Sequence, residues 1–302
     1  MKKRTVVSMH GGLGNQLFQM GLASKLSEFS EVSLSPWKNH YRADSVGMAW
    51  ISHYKQFEEY SRKLKRIDVF FIAYTRFCFK FLNANDVPKH RKSLLSFLFS
   101  LFIFLPECIG IRIITTTKLG DFEIPSLLSR NYIFAYYQTE TAAIELKKNL
   151  IAEHFDLVSN EVKSQEREIL ILHIRRTDYK QNPEIGLLSS DYFRIALEEL
   201  SKIYFWEELW LFSDSPTEAL ELVPDKFRNS IKIMPSNDVS PIETLALMSC
   251  GSAYILSNST FGWWAANLAF KTPKFVVVPE PWFRSLEEPS GLIPINWIKV
   301  RA

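Results

Sequence analysis

From residue 168 onward the chain alternates short β-branched runs with stretches of helical spacing, and that alternation leaves few folds open. E-I-L-I-L-H-I (168–174), L-W-L-F-S (209–213), I-K-I-M (231–234), A-Y-I-L-S (253–257) and K-F-V-V-V-P (274–279) read as strands, with the last of these closing the set. Between them, Ser190–Lys202 has helical spacing, with Ser190 and Asp191 near its start as caps. A short helix opens at S-D-S-P-T-E, and further helices are predicted over Pro241–Cys250 and Phe261–Phe270. Strands separated by helices make βαβ units around a parallel sheet, so this half is expected to be a Rossmann-like α/β domain.

The first half is less regular. A strand over 4–9 leads through Gly11, Gly12 and Gly14 into a helix from about Gly14 to Phe29. The chain then turns helix-rich and aromatic to about residue 110, before a strand at 132–138 and a helix at 139–154. A domain boundary is placed in the polar stretch D-L-V-S-N-E-V-K-S-Q-E-R-E, giving lobes 1–160 (with a helix-rich insertion over about 55–110) and 161–302. Two α/β lobes facing each other would set a ligand in a central cleft at the carboxyl ends of both sheets.

At 302 residues, one large or two ordinary domains fit. A formal charge of +3 is too small to argue for nucleic acid. Cys78, Cys108 and Cys250 are few, odd in number and far apart, which favours reduced intracellular thiols over a disulfide framework or a structural zinc. Residues 1–20 lack the apolar core and cleavage pattern of a signal peptide, so a cytoplasmic location is expected. The longest apolar run, Leu94–Leu105, has 12 residues. A membrane span needs about 20. Residues 61–92 mix bases such as Lys65, Arg66 and Lys80 with Phe70, Phe71, Tyr74 and Phe77. Two main readings stay open: a core helix with a solvated basic face, or a surface that leans on an anionic membrane, with RNA a distant third.

The densest chemistry lies in H-I-R-R-T-D-Y (173–179), at the end of a strand. Alternation puts His173, Arg175 and Thr177 on one side of the chain. Arg175 can clamp a phosphate with two parallel bonds, and His173 can donate to a second phosphate oxygen or a base edge. Asp178 either holds an arginine in place or acts as a base; a plain surface ion-pair cluster is the competing reading. In S-N-S-T-F-G-W-W-A-A (257–266), Ser257, Asn258, Ser259 and Thr260 crowd polar groups around a helix start, an arrangement suited to an anion. Asp214 in S-D-S-P either bonds a hydroxyl or caps the next helix. The glycine turn at 11–14 offers close backbone approach ahead of a helix N-terminus. No Asp-x-Asp pair, P-loop or G-x-G-x-x-G occurs. A diphosphate leaving group would therefore be met by arginine, backbone N–H groups and hydroxyls.

Taken together, G-G-L-G-N-Q-L-F-Q (11–19), H-I-R-R-T-D-Y (173–179), S-D-S (213–215), L-A-L-M-S (245–249) and S-N-S-T-F-G-W-W-A-A (257–266) resemble, in order, the motifs of the bacterial α-1,2-fucosyltransferases of glycosyltransferase family 11. The resemblance implies a GT-B-type fold and metal-independent, inverting transfer of L-fucose from GDP-β-L-fucose to a galactose-type hydroxyl, with no cofactor. It places Arg175 on the β-phosphate, His173 beside the nucleotide, and Ser259, Thr260 and Phe261 at the phosphate end of the donor. Gly12, Gly14 and Asn15 would approach from the first lobe, with Asp214 and Asn258 also in the donor set. His173, Arg175 and Asp178 make up the expected catalytic group; His10, Asp178 and Asp214 are the candidate bases.

The chain departs from the family pattern in three places. Thr177 replaces a usual glycine, Gly262 a frequent serine, and Thr244 an acidic residue, with Glu243 one position earlier. Glu243 is taken as the carboxylate facing guanine, although one residue on a helix rotates a side chain by about 100°. An O-antigen or related glycan pathway is the implied setting, with a lipid-linked glycan acceptor and peripheral contact at the inner membrane face through 61–105. The rival readings are a fucosyltransferase of other regiochemistry, a transferase for another GDP-sugar, and a non-catalytic glycan-binding protein.

Overall fold

The computed structural model describes residues 3–35, 54–60, 64–82, 101–116, 118–158, 167–235 and 239–302. Residues 61–63 and 83–100 of the basic-aromatic segment, and 159–166 of the polar boundary stretch, lie outside that set. The chain divides into two compact units, Met1–Leu146 with Pro289–Leu292, and Lys147–Glu288 with Ile293–Ala302.

In the first unit, β1 (Arg4–Ser8), β2 (Glu31–Ser35), β3 (Ile111–Thr115) and β4 (Arg130–Phe134) form a parallel sheet in the order β2-β1-β4-β3. β2 is a strand that the expected helix-rich stretch up to about residue 110 did not include: E-V-S-L-S is too short to announce itself, yet Val32 through Ser35 are buried beside β1. β4 ends at Phe134, short of the expected 138, and Tyr137 beyond it takes a left-handed φ of 57° that extended backbone cannot hold. Gly11, at φ +77°, turns the chain from β1 into α1 (Leu13–Ser27).

After α2 (Lys55–Tyr60), helix α3 (Arg66–Leu82) lies on the sheet, packing Phe71, Ile72 and Cys78 against Val6, Ile111 and Tyr132. Each such large apolar side chain contributes about 1.5–3 kcal/mol when fully buried. Buried Asp68 on the same helix accepts from Arg4 (2.9 Å), the Tyr132 hydroxyl (2.8 Å) and the Lys65 N–H (2.7 Å), so its charge is matched.

Helix α4 (Glu140–Leu157) leads into the second unit. There β5 (Ile169–Ile174), β6 (Glu208–Ser213), β7 (Ile231–Met234), β8 (Ala253–Leu256), β9 (Phe275–Glu280) and β10 (Ile298–Arg301) form one parallel sheet, ordered β10-β9-β8-β5-β6-β7. β10 is a correction, since the sequence pattern stops at β9. I-K-V-R is a four-residue, half-exposed edge strand that only its pairing with β9 defines.

The intervening helices are α5 (Ser190–Ile203), α6 (Pro216–Glu221), α7 (Asp225–Arg228), α8 (Pro241–Met248) and α9 (Thr260–Asn267). The cap of α5 is Ser189, one residue before the expected Ser190; its side chain accepts from the Tyr192 N–H. The chain runs outward through β5, β6 and β7, then returns to the other side of β5 for β8, β9 and β10. That reversal puts a topological switch point between β5 and β8, where doubly wound sheets hold their ligands.

Candidate active site

Two predicted motifs leave neighbouring strands at this switch point, H-I-R-R-T-D-Y after β5 and S-N-S-T-F-G after β8. They are stitched together. The Ser257 hydroxyl donates to the His173 carbonyl (2.9 Å) and accepts from the Arg175 N–H (3.0 Å). The Tyr179 hydroxyl donates to the Asn258 carbonyl (2.9 Å), and burial pushes that phenol up to about 12. Tyr192, which the sequence reading passed over, donates from below to the Leu256 carbonyl at 2.7 Å. Its one signal was a tyrosine on the apolar face of a helix.

Arg175 is positioned through its Nε, which donates to Asp178 (2.8 Å) and stands 3.2 Å from Asp214. Its guanidinium lies 6.0 Å over the Tyr179 ring. Burial alone would lower the Arg175 pKa, but the bond to Asp178 and the charge of Asp214 outweigh it and raise the value. The group is a permanent cation. Among the described residues neither Nη makes a protein hydrogen bond, which leaves two terminal donors for a ligand. Asp178 thus holds the arginine, one of the two roles open to it.

Asp214 does not cap α6, whose cap, Ser215, makes no side-chain bond. Instead it organises the loop after β5. Its carboxylate accepts from the N–H of Arg176 (2.8 Å), the N–H of Thr177 (3.1 Å) and the Thr177 hydroxyl. Thr177 has right-handed φ/ψ of −56° and −66°, so a side chain costs nothing where the family pattern has glycine. Arg176 turns to the opposite side, toward Glu218 at 3.6 Å.

At the start of α9, the Ser259 side chain accepts from the Phe261 N–H, and Phe261 lies 6.3 Å from the His173 ring. Asn258 faces away from the helix start, donating to the carbonyls of Ile185 (3.0 Å) and Gly186 (3.3 Å). His173 is 5% exposed. Burial and then the Arg175 charge, partly offset by Asp214, hold its imidazole down to about 3, so the ring is neutral. Among the described residues its Nδ1 has no hydrogen-bond partner, and it packs against Gly262, where a Cβ would stand 2.6 Å away.

Glu243 closes a capping box on α8. It accepts from the Ser240 N–H at 2.8 Å, and Ser240 caps the Glu243 N–H in return.

The glycine turn lies in the first unit, at the switch between β1 and β4. A Cβ on Gly12 would meet nothing within 4 Å, and α1 begins there without a side-chain cap. Gly14 is buried in α1, while Asn15 accepts from Gln138 at 2.9 Å and the Gln16 amide donates to the Gly11 carbonyl. His10 is stacked on Phe134 at 4.1 Å. Its Nδ1 meets the Ser8 carbonyl at 3.2 Å, leaving Nε2 to accept from the Gln19 amide at 3.2 Å. Burial, offset by Ser8 and aided by Arg76, lowers its pKa to about 4. Both ring nitrogens are engaged in holding the turn. Among the described residues no three His, Cys, Asp or Glu side chains gather as a metal ligand set.

A parallel sheet with an arginine and a helix start at its switch point is the form of a doubly wound α/β protein, a class that takes its ligands at the carboxyl ends of its strands. Over residues 5–300 the chain matches the profile of Glycosyl transferase family 11, and it belongs to that family. It is 26% identical over 184 residues to the O-antigen biosynthesis glycosyltransferase WbnK of Escherichia coli, covering 56% of this chain and 60% of that one. It is 28% identical over 183 residues to the alpha-1,2-colitosyltransferase of Escherichia coli, covering 55% and 61%. The matched stretch thus spans about three-fifths of either relative's length. Among solved structures, fucosyltransferase NodZ from Bradyrhizobium aligns at 14% identity and a TM-score of 0.48, covering 91% of this chain and 97% of that one. The Escherichia coli ADP-heptose heptosyltransferase II aligns at 11% and 0.45, covering 99% and 90%.

Among the described residues no helix is long and apolar enough to cross a membrane.

Proposed function

We propose that this chain transfers L-fucose from GDP-β-L-fucose to a galactose-type hydroxyl, forming an α-1,2 linkage with inversion and without a metal, in O-antigen or related glycan synthesis. The observation that carries the reading is Arg175, fixed through Nε by Asp178 and Asp214, with neither Nη bonded among the described residues, beside the start of α9. An acceptor hydroxyl oxygen attacks fucose C1 as the bond from C1 to the diphosphate oxygen breaks, and the hydroxyl proton passes to solvent water as the new bond completes. The departing charge falls on Arg175, the first turn of α9 and the hydroxyls of Ser259 and Thr260. Asp214 acts through the loop it folds. No base is assigned, since His10, Asp178 and Asp214 each already hold another group in place.

The likeness to an alpha-1,2-colitosyltransferase favours a second reading, in which the same linkage is made with a different sugar. An acceptor array with labelled GDP-fucose, in EDTA and then with magnesium, followed by linkage analysis, tests both. The expected product is a 2-O-fucosylated galactoside formed in EDTA. Transfer that requires magnesium, or that proceeds only with another nucleotide sugar, overturns the first reading.

A further inference from the structure

Helix α3 presents two different apolar faces. Phe71, Ile72 and Cys78 are buried on the sheet, while Arg66, Phe70, Ala73, Phe77 and Lys80 recur at helical spacing and are all exposed. Phe70 is 62% exposed and Phe77 53%. The outer face continues onto the helical stretch 101–107. The Tyr74 hydroxyl donates to the Phe102 carbonyl at 2.8 Å, and Phe102 lies 6.1 Å from Phe77 and 6.3 Å from Tyr74. Phe104 is 58% exposed beside Leu105 at 54%. Surface apolar residues are ordinarily scattered, whereas connected aromatics rimmed by charge mark a docking face.

We propose that the outer face of α3, with Phe102, Phe104 and Leu105, docks on an anionic lipid bilayer. The charges decide the occupant. Every exposed charge along α3 and just before it is basic: Lys65, Arg66 and Lys80. The helix's one acid, Asp68, is buried and bonded to Arg4. A second copy of this face would set bases against bases. Anionic headgroups match them, while the phenylalanines enter the headgroup boundary.

Sedimentation of the full chain with vesicles of phosphatidylglycerol and phosphatidylethanolamine, against phosphatidylcholine alone, tests this. Binding to the anionic vesicles is expected, with release by high salt. Phe70→Ser with Phe77→Ser lowers vesicle affinity by at least about ten-fold. Lys65→Glu with Arg66→Glu lowers it by about five-fold or more per position. Both pairs keep the wild-type melting curve and transfer to a short water-soluble acceptor; if the serine pair fails to fold, the glutamate pair carries the test. The proposal is overturned if the wild type stays in the supernatant with anionic vesicles. It also falls if a folded variant pair binds as the wild type does, or if light scattering shows the patch holding a dimer instead.

Discussion

At position 262 there is no room for a side chain, because a Cβ would stand 2.6 Å from Nδ1 of the buried His173. The departure from a serine-containing pattern is thus coupled to the ring it faces. Gly262→Ala is expected to cost about 1–3 kcal/mol of stability through overpacking. The cost should shrink in a His173→Ala background, and a double-mutant cycle by denaturant melts reads the coupling. Thr177 is a contrasting departure, since its backbone is ordinary and its hydroxyl bonds Asp214. In the proposed reaction Arg175 is the residue that meets the leaving charge. Arg175→Ala is expected to lower kcat by about 10²–10³-fold through lost stabilisation of the leaving charge. Arg175→Lys should recover little of this, because an ammonium cannot hold Asp178 through Nε and still offer a two-pronged donor.

Among the elements, α8 carries a sharp test of the sequence reading. The sequence offers Glu243, one residue before the position where the family pattern has an acid, as the carboxylate facing guanine, and the structure gives it a capping box with Ser240. Glutamine can keep such a box and alanine cannot. Glu243→Ala is therefore expected to cost about 0.5–2 kcal/mol of stability. Glu243→Gln should melt as the wild type does, with an unchanged KM for GDP-fucose. A large rise in that KM for the glutamine variant would assign the guanine contact to Glu243. The long, doubly flanked strands β5 and β6 were legible because uninterrupted apolar runs need cover on both faces. β2 and β10 were not, being short segments that pairing rather than pattern makes into strands.

At the scale of the whole molecule, three histidines among the described residues are buried neutral: His10 and His154 near pKa 4 and His173 near 3, burial being the leading cause each time. Their folded values lie below the unfolded 6.5, so the unfolded chain binds protons first as pH falls. Stability is full above about 6.5 and declines toward the folded values, with unfolding near pH 4.5 taking up roughly two and a half protons at these histidines. Calorimetry across buffers of different ionisation enthalpy measures that uptake. Glu208 adds to the decline below about pH 4.5. Burial raises its pKa, but bonds from Lys232, Trp210 and Arg167 overcome this and hold it at about 2.

The sequence by itself determined the strand–helix alternation, the charged and polar residues gathered at 173–179 and 257–261, and the family motifs, because periodicity and residue type are local properties. The tertiary structure alone decided that β8 returns beside β5, that Asp214 folds the arginine loop instead of capping a helix, and that His10 is tied down. Those outcomes depend on which groups distant in sequence come to lie together, the Arg176 and Thr177 N–H groups on Asp214 and Phe134 on His10, and spacing along a chain does not record that.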